Sequence, residues 1–131
     1  MPRNTYGEAK LVVVELLPDF ETRLYRVTKS DDPSEEEFLD SLRSHYEIGW
    51  HPRGAPRPAV LHMGLSMFRT PEKARGTAWK WPVMGEFVAE LELTSGNGFN
   101  LADTGAPGHV TVWGDPMWLR DAVVDILPVE E

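Results

Sequence analysis

The chain has 131 residues, 41% of them hydrophobic, and no cysteine, which suits one domain around one core and excludes disulfides, thiolate nucleophiles and cysteine-ligated metal. Its 13 Lys+Arg against 21 Asp+Glu give a formal net charge of −8, so a phosphate backbone is repelled over long range and general nucleic-acid binding is disfavoured. The opening MPRNTYGEAK lacks the apolar core of a signal and no later apolar run reaches the length of a membrane span, so we expect a cytoplasmic chain with a single domain over 1–131 and a flexible tail at 1–9.

Residues 11–17, LVVVELL, are a β-branched apolar run that stops at the Pro18-Asp19 turn signal, and they predict a buried strand. Arg23-Leu24-Tyr25-Arg26-Val27 predicts a second, shorter one. Asp32 precedes Pro33, and Glu35 follows Asp32 at the spacing of a capping box. A helix is expected from there to about Gly49, with Phe38, Leu39, Leu42 and Tyr46 on one face. The segment WHPRGAPRP, from Trp50 to Pro58, is a loop by its prolines and glycine, and Arg53 and Arg57 give it a local positive charge. Val60 to Phe68 reads as a strand with a glycine inside it.

Thr70-Pro71-Glu72 repeats the cap-then-proline signature and opens a helix to about Trp81. In Glu86–Leu93 the residues alternate. Phe87, Ala89, Leu91 and Leu93 share one face, and Val88, Glu90 and Glu92 share the other. Ser95-Gly96-Asn97-Gly98 is a turn and HVTVW, His109 to Trp113, is another alternating strand. Asp115-Pro116 caps a short helix, and Val123 to Val129 closes the chain as a last strand. Strands and helices do not alternate strictly, so an α+β fold with mixed or antiparallel sheets and about three short helices is expected rather than a doubly wound sheet.

Several short stretches occur in a suggestive order. Tyr25-Arg26 lies on an early strand, Gly64-Leu65-Ser66-Met67-Phe68 runs into the helix at Pro71–Trp81, the alternating strand follows, and HVTVWGDP comes late. In this order they resemble the ADP-ribosyltransferase superfamily, which includes tRNA phosphotransferases and toxin domains that consume NAD, and the likeness covers roughly residues 23–129. The resemblance implies an ADP-ribosyltransferase-like fold that binds NAD or a related nucleotide, with NAD as its substrate. It implies that Arg26 meets the dinucleotide, a task suited to the fork of donors on a guanidinium, and that Ser66 orders the pocket. An arginine at the core edge and a serine that turns the backbone are the competing readings.

The family's late glutamate, a fixed anion aimed at developing positive charge, has no counterpart in Gly108–Trp113, where His109 stands instead. His109 would bond a ribose or carry a proton, and Glu90 or Glu92 would supply the charge. The expected catalytic set is therefore Arg26, Ser66 and His109. Tyr25, Arg26, Ser66, Trp79 and Trp113 are expected to bind the nucleotide. No metal is expected, because the histidines lack ligand spacing.

The missing carboxylate leaves two other functions open. One is a catalytically inactive protein-interaction module, immunity- or antitoxin-like, whose acidity suits a basic protein partner. The other is a nucleotide phosphotransferase or hydrolase.

Overall fold

The computed structural model describes residues 15–43 and 64–130. Six strands, β1 (Glu21–Thr28), β2 (Leu65–Phe68), β3 (Phe87–Thr94), β4 (Asn100–Asp103), β5 (His109–Trp113) and β6 (Val123–Pro128), form one sheet in the order β4-β5-β2-β1-β3-β6. Every pairing is antiparallel. Three helices, α1 (Glu36–Asp40), α2 (Pro71–Lys80) and α3 (Pro116–Asp121), and a 3-10 turn at Pro82–Met84 complete the described fold. The expected α+β class is present, with an antiparallel rather than a mixed sheet. No helix among the described residues is long and apolar enough to cross a membrane.

The sheet is buried on both faces, and strand alternation sorts the core into two clusters. On the first face Leu24, Leu65, Met67, Leu91 and Val110 pack with Phe38, Leu42 and Leu119 from the α1 and α3 regions. On the second, Val27, Val88 and Val129 pack against Ala74 and Ala78 of α2, with Tyr25 and Phe68 at the margin. The small alanines let α2 lie close to the sheet, and this is why Val88, on the same face as Glu90 and Glu92, is fully buried.

Punctuation predicted α2 and α3 well. Thr70 accepts a hydrogen bond from the Lys73 amide, and Asp115 accepts one from Met117. The helix expected after Asp32 differs. The Asp32 carboxylate instead accepts from the Ser34 amide and hydroxyl at 2.9 and 2.7 Å, which closes a turn. The helix starts only at Glu36, with no side-chain cap, and its expected continuation over 44–49 lies outside the described residues.

The first expected strand is also not found where it can be seen: Glu15–Leu17 are not strand, and 1–14, with the tail, lie outside the described residues. The sixth strand of the sheet is β4, whose Leu101 and Ala102 are fully buried. Four residues are too few for alternation to stand out against the neighbouring turn.

Candidate functional site

β5, β2 and β1 are neighbours in the sheet, so the three strands expected to carry the site do lie side by side. Their side chains do not meet. Arg26 stands opposite Ala89, which is buried in the cluster under α1 and α3. Ser66 pairs with Thr111 and His109 with Phe68, which in turn pairs with Tyr25. Directly opposed residues share a face, so Ser66, His109 and Tyr25 belong to the face covered by α2. Arg26 belongs to the other. The single hollow expected to hold Arg26, Ser66 and His109 is absent, because odd and even positions of β1 are turned to opposite sides.

Arg26 is occupied in building the fold. Its Nε donates to the Ser41 carbonyl just past α1, and its Nη1 donates to the Ser66 carbonyl, both at 2.8 Å. β1 pairs with β3 along its whole length from Glu21 to Thr28, but its register with β2 is the one pair Tyr25 and Phe68. The guanidinium therefore ties β2 to β1 where the ladder thins, and fixes the end of α1 as well. Burial lowers its pKa to about 10, the direction expected of a cation taken from water and given neutral carbonyls rather than a carboxylate.

On the second face a row of side chains runs across four strands: Glu90 on β3, Tyr25 on β1, Phe68 on β2 and His109 on β5. The Tyr25 hydroxyl donates to Glu90 Oε1 at 2.8 Å, and Arg23 lies 3.2 Å from the other oxygen of Glu90 and 3.7 Å from Glu92. The carboxylate is thus paired already. Burial, then the hydrogen bond to Glu90 and its charge, push the Tyr25 phenol above its ordinary pKa. With strands about 4.8 Å apart, Glu90 and His109 are separated by about 14 Å. One reacting atom cannot touch both.

His109 is held by the loop before it. Its Nδ1 lies 2.9 Å from the Thr104 carbonyl and 3.0 Å from the Thr104 hydroxyl, which bonds Thr111 at 2.6 Å. A carbonyl only accepts, so Nδ1 carries a proton, and in the neutral ring Nε2 is then the acceptor nitrogen. The ring also stands edge-on to Phe68, with centroids 5.6 Å apart. A shallow hollow of about 340 Å³ beside it is lined by Asp103 to His109. Gly108 lies there at φ 82°, where a Cβ would press on the Lys73 side chain.

The expected aromatic ligands are split as well. Trp113 is half-buried on β5, on the face of Ser66, with its ring against Gly64. Trp79 is 67% exposed at the end of α2, beside Trp81 at 56% and Val83 at 79%. Trp79 borders a larger hollow, about 730 Å³, between the end of α2, the 3-10 turn and the end of β6. Phe87, Val129 and Ala78 form its apolar lining, and Glu86 and Glu130 bring the acids to it.

No family model matches the chain, and no curated protein or solved structure matches it either. Its own surface therefore has to indicate the function. The sequence offers Trp81 with the other tryptophans as a pocket residue but favours Trp79 and Trp113, and it gives Val83, Glu86 and Glu130 no binding role. The signal was in WKWPV: Pro82 stops the helix just after two tryptophans, so Trp79 stands in its last turn on the side away from the buried Ala78, and Trp81 at its C-cap.

Proposed function

We propose that the chain is a non-catalytic protein-recognition module whose binding face is formed by the end of α2, the following 3-10 turn and the end of β6. The observation that carries this reading is Trp79, 67% exposed and bordering a largely apolar hollow of about 730 Å³, with Trp81 at 56% and Val83 at 79% exposed in the residues that follow it. Exposed aromatic side chains are costly to leave in water, and they are the residues most enriched at the centres of protein interfaces. The engagement of Arg26 by two backbone carbonyls supports the same reading, since it removes the anchor that a dinucleotide would need.

The test replaces Val83 by a photo-reactive amino acid and irradiates the folded chain in extract of its native host. One protein cross-linked in stoichiometric yield, with no nucleotide released on denaturation, is the expected product. A nucleotide co-purifying with the chain and no protein adduct would contradict it.

A second reading keeps NAD or a related nucleotide as ligand, on the ADP-ribosyltransferase-like scaffold that the sequence resembles. Tyr25, Ser66, His109 and Trp113 share one face, and the acceptor Nε2 of His109 suits a ribose hydroxyl. In this reading Arg26 has no part in binding.

A further inference from the structure

The chemistry around Trp79 narrows the kind of partner. β6 is an outermost strand, and such an edge commonly receives an added strand from another chain. Here the Asp125 carboxylate accepts the hydrogen bond of the Ile126 amide at 2.9 Å, and Pro128 at the strand's end has no amide hydrogen. The edge is guarded by a charge and a proline. A partner on this side would dock through side chains rather than by extending the sheet.

The available surface has two parts. The indole of Trp79 is exposed over an apolar lining, and Glu86 and Glu130 border the same hollow, with both residues exposed to solvent. An aromatic face beside carboxylates matches one side chain better than others. The guanidinium of arginine stacks flat on an indole and still points its donors sideways at carboxylates, whereas an ammonium is a hydrated point charge. A neighbouring indole already has a cation near it, with Lys80 Nζ 5.9 Å from the Trp81 ring centroid. The overall charge of −8 would draw a basic segment towards this surface.

Resting on the recognition-module reading, we infer that the hollow between the end of α2 and the end of β6 receives an arginine of a partner protein, stacked on Trp79 and paired with Glu86 or Glu130, with a flanking apolar side chain on Phe87 and Val129.

The probe is a capped heptapeptide with one arginine between two leucines, compared by fluorescence with versions carrying citrulline, lysine or glutamate in its place. The arginine peptide is expected to bind best, lysine less well, and citrulline and glutamate least. Trp79→Ala should weaken binding at least about tenfold, which is about 1.4 kcal/mol. The double change Glu86→Gln with Glu130→Gln should weaken it and flatten its salt dependence. Both act on exposed side chains, and Trp118→Ala, on α3, serves as the control that leaves binding unchanged. Equal binding of the arginine and citrulline peptides, no effect of Trp79→Ala, or no binding up to about 1 mM would overturn the arginine assignment. If the arginine peptide fails while the Val83 cross-link still captures a stoichiometric protein, only the arginine assignment falls. If the capture fails too, the recognition reading falls with it.

Discussion

Arg26 illustrates how one side chain can resemble a ligand-binding group and serve the fold. Both carbonyls it holds, Ser41 and Ser66, lie in part-buried hydrogen bonds and would lose their partner in Arg26→Ala, and a hydrogen bond to a charged group contributes about 1.5–3 kcal/mol. The variant should therefore lose about 2–5 kcal/mol of stability in urea denaturation. Arg26→Lys should recover part of that loss, because a single ammonium cannot reproduce the two directions of the fork. A ligand-binding arginine on an exposed cleft would give the opposite result, an unchanged midpoint.

Tyr25 makes a second residue-scale prediction. Its phenol is raised above the ordinary value of 10.0, first by burial and then by Glu90, so the folded chain keeps this proton to higher pH than the unfolded chain does. The native state then binds more protons in that window, and its stability falls as pH rises through the folded value. The contribution is fully present below the unfolded value. In ultraviolet titration of the folded chain, Tyr25→Phe should remove a late-titrating phenol, and the alkaline loss of stability should become shallower. A Tyr25→Phe curve that parallels the parent at every pH would refute the assignment.

At the scale of elements, the parts legible in the sequence were those whose signals are local. Thr70 and Asp115 each announce a helix within a few residues, and both cap as expected. The alternation of β3 gave its two faces correctly because eight residues repeat the pattern. Asp32 misled because a carboxylate before a proline suits a turn as well as a helix, and nothing local distinguishes them. β4 was hidden because it is defined by its pairing with β5, a contact that a four-residue string does not encode. The close passage of the 3-10 turn under β1 was equally non-local. There Gly85 adopts φ 145°, and a Cβ would meet the Thr28 carbonyl.

For the whole molecule, the sheet brings β1, β2 and β5 together, as the order of motifs suggested, but the two-residue period of a strand decides which side chains can share a site. Tyr25 and Arg26 are adjacent in sequence and on opposite sides of the sheet. A reading that needs both in one pocket fails on parity alone, and a single sequence with weak motifs does not fix which of the two faces the ligand. The surface around Trp79 was legible only in part. Sequence shows that WKWPV is aromatic, but only the packed α2 reveals that both rings are left outside the core.

The most direct test of the account is an amide and indole chemical-shift titration of the isotope-labelled chain, with NAD in one series and the arginine heptapeptide in the other. The expected result is saturable shifts with the peptide at the Trp79 and Trp81 indoles and at Glu86, and no saturable shifts with NAD up to about 1 mM. Saturable NAD shifts at Tyr25, Ser66, His109 and Trp113, with the Trp79 indole unmoved by the peptide, would contradict it.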